Sequence, residues 1–277
     1  MKNGFLHFEI GGFRCTLISD GKHAYPNPAG LLFPGAPVDE LAGELARHGI
    51  SPANWPIWMS DYTCLLIDTG KQRILLDTGA GDMLPDAGLL TKNMRAAGIA
   101  PASVDCILIS HAHPDHIGGA CLFPDARIIM NRKEWRFWTQ EPELPRLPDE
   151  FSHLLTGMVT SLLAPLQDRI ELIDSDTEIA PGVNFVEAQG HTPGHMALHA
   201  ASNGNHLIYV GDAVIHEAHI RNTHWSPLVD VLPDKSARTR TRLLTQAADT
   251  DAVFSGFHLP HLGRISRTDT GFDWKQR

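Results

Sequence analysis

Short apolar runs punctuated by glycine, proline and aspartate recur along the whole chain. Residues 5–19 alternate around Gly11-Gly12 and predict two strands joined as a hairpin. TCLLIDTGKQRILLDTG, residues 63–79, places two apolar runs around Asp68-Thr69-Gly70-Lys71 and predicts a second hairpin. Between them, YPNPAGLLFPGAP holds too many prolines and glycines to be regular over its length. The segment 20–36 is therefore expected to be an extended arm. Helical spacing predicts helices over 38–48, 89–97, 133–138 and 151–163, and another near 236–248. Strands are expected at 104–109 and 126–130, and near 169–173, 183–188, 195–201, 206–210 and 252–254. Strands mixed with helices in both halves, with no low-complexity linker, predict one α/β domain over 1–277 built of two similar halves. Residues 1–36 form its N-terminal hairpin and arm. Leu31, Leu32 and Phe33 would be exposed on such an arm, which points to a homodimer packed across it.

Charge narrows the partners. A formal net charge of −9 leaves no basic stripe to displace counterions from a phosphate backbone, so nucleic acid is excluded as a partner. No apolar window approaches a membrane span, and the N-terminus lacks a signal-peptide core, so a membrane is excluded too. Cys15, Cys64, Cys106 and Cys121 are scattered without a CxxC pair, as expected for reduced thiols in the cytoplasm. Sixteen histidines are the one compositional oddity, and they prompt a search for metal.

The search ends at HAHPDHIGG, residues 111–119, directly after the apolar run 104–109. His111 and His113 lie two apart in what should be extended backbone, so both imidazoles can reach one ion. Pro114 forces a turn that can swing Asp115 and His116 toward a second position, and Gly118-Gly119 is expected to let a helix begin tightly. GHTPGH (190–195), YVGDAV (209–214) and SGFHLPH (255–261) each follow an apolar run and can present a further His or Asp at a strand end. The first offers His191 or His195, the last His258 or His261.

This ordered set resembles the metallo-β-lactamase superfamily, whose HxHxDH motif stands here as His111-Ala112-His113-Pro114-Asp115-His116. The resemblance spans nearly the whole chain, from DTG at 77–79 through GHTPGH and Gly211-Asp212 to a late histidine. It implies a four-layer αββα sandwich of two mixed sheets with helices outside. It further implies one divalent ion held by His111, His113 and His191, a second by Asp115, His116 and His258, and Asp212 bridging both. Zinc is the metal expected, with iron, manganese or cobalt as alternatives. Asp77 would orient a ligand imidazole.

Two such cations, about 3.5–4 Å apart, would share a hydroxide able to attack a carbonyl or phosphoryl centre, with Asp115 or Asp212 passing a proton to the leaving group. The N-terminal LISDG, RKEWRFW and FHLPHLGRI are most similar to N-acyl homoserine lactonases and methyl parathion hydrolase-like enzymes. The expected substrate is therefore a small lactone or ester with an apolar acyl or aryl portion, the alternative being a phosphotriester. Some lactonases carry a Tyr three residues after the bridging Asp, where this chain has Ile215 followed by His216. Trp58, Trp138, His216 and Trp225 are candidate pocket residues. An iron oxidoreductase or a nuclease on the same fold is a weaker expectation, since no length remains for a flavin domain and the charge is wrong for nucleic acid.

Overall fold

In the computed structural model, which describes residues 1, 3–140 and 142–276, the strands form two seven-stranded sheets. The first holds, in chain order, β1 (Phe5–Ile10), β2 (Phe13–Pro26), β3 (Ile57–Asp68), β4 (Arg73–Leu76), β5 (Cys106–Ile109), β6 (Arg127–Asn131) and β7 (Ile170–Ile173). The second holds β8 (Thr177–Ala180), β9 (Val183–Glu187), β10 (Met196–Ser202), β11 (Asn205–Tyr209), β12 (Val253–Gly256), β13 (Leu259–Thr268) and β14 (Gly271–Gln276). Both sheets are mixed. Neighbours β1 to β4 run antiparallel and β4 to β7 parallel, whereas in the second sheet only the β11–β12 pair is parallel. The helices are α1 (Pro28–Leu32), α2 (Val38–Arg47), α3 (Leu90–Ala96), α4 (Pro114–Ile117), α5 (Arg132–Thr139), α6 (Asp149–Leu163), α7 (Ala218–Arg221) and α8 (Pro233–Asp249). They flank the sheets in the expected αββα sandwich.

Burial explains the sequence pattern. Every residue of β5 is buried, as a parallel strand covered on both faces must be, so it reads as an unbroken apolar run without alternation. One large core cluster joins Leu65, Leu75 and Ile107 of the first sheet to Phe185, Leu198 and Tyr209 of the second. At the seam Thr63 donates its amide to the Phe257 carbonyl at 2.9 Å, and the Tyr209 hydroxyl donates to the Thr63 carbonyl.

The expected arm is corrected. Strand β2 continues to Pro26, paired with β3 after a register shift near Gly21, and α1 follows at once. Leu32 and Phe33 are buried within their own chain against Leu45, Ile215 and Trp225. The exposed apolar strip that argued for a homodimer is therefore absent. Gly118-Gly119 lie between two helical turns, α4 ending before them and a single 3₁₀ turn, Ala120–Leu122, beginning after them. A Cβ on Gly119 would lie 2.1 Å from the Thr78 carbonyl oxygen and one on Gly118 2.3 Å from that of Ala80, so the glycines let the 77–80 loop press onto the histidine turn. Strands β8, β13 and β14 lie beyond those expected from the pattern. Among the described residues, no helix is long and apolar enough to cross a membrane.

Candidate metal centre

Each candidate ligand sits just past a strand or in the loop that follows one. His111, His113, Asp115 and His116 follow β5, His191 lies between β9 and β10, Asp212 follows β11, and His258 links β12 to β13. The fold brings them together as two sets. In the first, His113 Nδ1 lies 2.9 Å from His111 Nε2 and 3.1 Å from His191 Nε2. Asp212 Oδ2 stands 3.5 Å from His191 Nε2 and 3.9 Å from His111 Nε2. In the second, Asp115 Oδ2 is 3.7 Å from His116 Nε2 and 3.8 Å from His258 Nε2. Asp212 faces this set too, with Oδ1 at 3.3 Å from His116 Nε2 and Oδ2 at 3.1 Å from His258 Nε2.

Hydrogen placement tests whether cations fit. His116 Nδ1 pairs with Asp77 Oδ2 at 2.8 Å, His191 Nδ1 with Asp230 Oδ1 at 2.9 Å, and His258 Nδ1 with the Asp61 carbonyl at 3.0 Å. His111 Nδ1 meets Ser110 Oγ at 3.1 Å, and that hydroxyl donates its own hydrogen to Asp77 Oδ2. With the outer nitrogens of His111 and His191 donating, their inner nitrogens turn lone pairs toward His113 Nδ1 and the Asp212 carboxylate. Lone pairs facing lone pairs repel unless a cation lies between them. Consistent with that, His116 Nε2 and Asp212 Oδ1 are buried without a hydrogen-bond partner. The donor set fits two divalent ions, with imidazole and carboxylate ligands of the kind zinc takes.

Burial, reinforced by neighbouring imidazoles, holds His111 and His113 well below the usual histidine range, so their nitrogens are free to ligate. Burial opposes the charge on Asp212, yet His258 and His116, which Asp212 holds above the usual histidine range against burial, keep its carboxyl well below the ordinary range; their protons stand where cations would.

Asp77 is fully buried and has a left-handed backbone, φ 60°, that a non-glycine residue adopts at a cost. Its Oδ1 accepts the Ser110 amide at 2.8 Å, so one carboxylate orients His116 directly and His111 through Ser110. Three further acids escaped the sequence reading. Asp230 holds His191. Glu134 accepts from the Ala112 amide, Trp138 Nε1, Thr192 Oγ1 and the Gly194 amide, which ties the His111–His113 turn to the His191 loop. Asp20 accepts the amides of Ala80, Gly88 and Leu90, and burial pushes its carboxyl up to about 6. Asp20 and Asp230 left a weak signal, each being an acid inside or just after an apolar run. Glu134 left none, because an acid in the first turn of a helix is ordinary.

Of the paired alternatives, His195 stays out of both sets. Its Nε2 accepts the Asp212 amide at 3.0 Å while Nδ1 faces the Ala188 carbonyl. His261 is exposed on β13.

A cavity of about 690 Å³ opens over the centre, with Asp115, His191, Asp212 and His258 reaching it. Trp58 lines it, as do Leu147, Phe151, Leu155 and Met158 on and near α6. Trp138, His216 and Trp225 do not. Trp138 is buried edge-on against His113 with its indole nitrogen bonded to Glu134. Trp225 packs on Phe33. His216 sits behind Trp58 between Phe33 and His48, where burial pushes it down to about 4.

The family profile of the metallo-beta-lactamase superfamily matches residues 60–258, and the chain belongs to that superfamily. Its sequence is 30% identical over 165 residues to an N-acyl homoserine lactonase of Bacillus thuringiensis, a match covering 52% of this chain. The chain thus spans 58% of that relative's length. Among solved structures it is similar to AidC, a dizinc quorum-quenching lactonase in complex with the product N-hexanoyl-L-homoserine. The TM-score is 0.90 and the identity 27%, with 99% of this chain and 97% of that one covered. The hydrolase AbOPH shares the fold with a TM-score of 0.86 at 24% identity, covering 98% of this chain and 96% of the other.

Proposed function

We propose that this chain, as one domain over 1–277, is a dinuclear metal-dependent hydrolase of a lactone or ester carbonyl in a small molecule with an apolar acyl portion. His111, His113 and His191 would hold one ion, Asp115, His116 and His258 the other, and Asp212 would touch both. Zinc is the ion proposed. When bound, two such ions supply Lewis acidity and a lowered pKa for water at neutral pH.

The protein's own part is positional. Asp212, whose carboxylate faces both sets, fixes their spacing. Asp77 and Asp230 hold the ligand imidazoles in one tautomer. Asp115 and Asp212 are the carboxylates that reach the cavity, and a proton delivered to the leaving oxygen passes through one of them. Leu147, Phe151, Leu155 and Met158 exclude water and receive the acyl chain.

One observation carries this reading: two donor sets sharing Asp212 at the floor of a carbon-walled cavity. The similarity to a lactonase supports it. The buried Cys15, Cys64 and Cys106 thiols and the unpaired, exposed Cys121 support a reducing cytoplasmic setting. The test is turnover by the metal-loaded protein of N-acyl homoserine lactones of graded chain length, beside an aryl ester and an aryl phosphotriester. Lactone or ester turnover, rising with chain length, is expected. Turnover of the phosphotriester alone, or one iron per chain with oxygen consumption, would reject the reading.

A further inference from the structure

Tyr25 of β2 and Tyr62 of β3 both line the cavity, and their hydroxyl oxygens lie 2.6 Å apart. Two phenols carry two hydrogens, and the bond between them uses one. Among the described residues no other acceptor is bonded to either hydroxyl, so one O–H of the pair is left over. The pair is rigidly held. Tyr62 packs on Phe257 and His258 with ring centroids 5.4 and 5.5 Å apart, and Tyr25 packs on Trp58 at 5.5 Å. His23, also in the lining and edge-on to Tyr25, has a buried Nδ1 without a partner. Ile215, Leu228 and Val229 of the lining cannot donate, and the other side-chain N–H groups there belong to Trp58, His23 and the proposed ligand histidines.

Resting on the hydrolase reading above, we infer that Tyr25 and Tyr62 act as one hydrogen-bond donor to the carbonyl oxygen of the bound ester or lactone. One phenol presents its O–H to the substrate, and the other donates to that phenol's oxygen, which makes the presented hydrogen more acidic and fixes its direction. The donor gains most as negative charge builds on the carbonyl oxygen, so its effect falls on kcat rather than on KM.

The experiment compares zinc-loaded wild type, Tyr25→Phe, Tyr62→Phe and the double variant on a homoserine lactone, an aryl ester and an aryl phosphotriester. Metal content and melting temperature are measured alongside. On the substrate that wild type turns over, each single variant should lose roughly 30-fold or more in kcat, with KM within about 3-fold and metal content unchanged. Because the phenols act as a unit, the double variant should fall no more than about 3-fold below the worse single one. Single variants within about 3-fold of wild-type kcat, or losses that multiply in the double variant, would overturn the inference. If wild type hydrolyses none of the three substrates, the hydrolase reading fails by itself. The donor is then judged by the ¹³Cζ signals of the two tyrosines during titration with N-hexanoyl-homoserine. A shift at either tyrosine supports it and none rejects it.

Discussion

The two ligand sets share Asp212 but are held differently. His111, His113 and His191 are buried, and the loops that carry them are tied together by the Glu134 carboxylate and anchored by Asp230. The second set includes Asp115, a half-buried carboxylate, and His258, whose outer nitrogen rests on Ser60 Oγ and a main-chain carbonyl. One set is locked by buried acids from both halves of the chain. In the other, buried Asp77 holds His116, while His258 rests on neutral oxygens only. Acid support is thus denser behind the first set than behind the second, so the second position should exchange its ion more readily than the first.

Substitutions can break or sharpen that contrast. Asp212→Ala removes the residue common to both sets, and activity should fall by roughly 1,000-fold or more with the loss of at least one ion per chain by elemental analysis. Asp230→Asn should weaken metal retention at the first set about 10–100-fold by chelator competition while leaving the second. Asp77→Asn should weaken both, because the carboxylate reaches His116 directly and His111 through Ser110. Equal effects of the two variants on both positions would erase the contrast. Smaller again, Phe151→Ala should raise KM about 3–10-fold for long acyl chains and barely for short ones, because it trims the cavity wall alone.

The smallest effect concerns stability behind the cavity. Hydrogen bonding to Glu217, opposed by burial and helped by Glu44, raises the His48 pKa. A raised folded value stabilises the protein fully below the unfolded pKa of about 6.5, and that contribution disappears as pH rises through the folded value. The melting temperature of the metal-free protein should therefore fall slightly as pH rises through that window. Glu217→Gln should flatten the slope while leaving both ligand sets intact.

Much of this was legible in the sequence. The apolar run before His111, the two-residue spacing of His111 and His113, and the turn at Pro114 all encode local geometry, and local geometry is what a pattern carries. The choice of His191 over His195 came only with the resemblance, because both follow the same strand and differ in which way a loop turns. Glu134 and Tyr25 were invisible for another reason. An acid in a first helical turn and a tyrosine in a proline-rich stretch acquire meaning only when a partner far along the chain arrives, Gly194 for one and Tyr62 for the other. The same holds for Leu32 and Phe33, whose covers, Ile215 and Trp225, lie far away in sequence. Strands β13 and β14 were missed because their exposed residues dilute the apolar signal at an outer edge of the sheet.

The division of ligands between the halves has a consequence for how the protein is made. Residues 111–116 emerge from the ribosome with four of the proposed ligands, but His191, Asp212 and His258 follow only with the second sheet. Neither set can close until the second sheet has been made and docked on the first. Metal would then load only after the sheets have docked, and the cation taken up would depend on what the surroundings offer the folded chain.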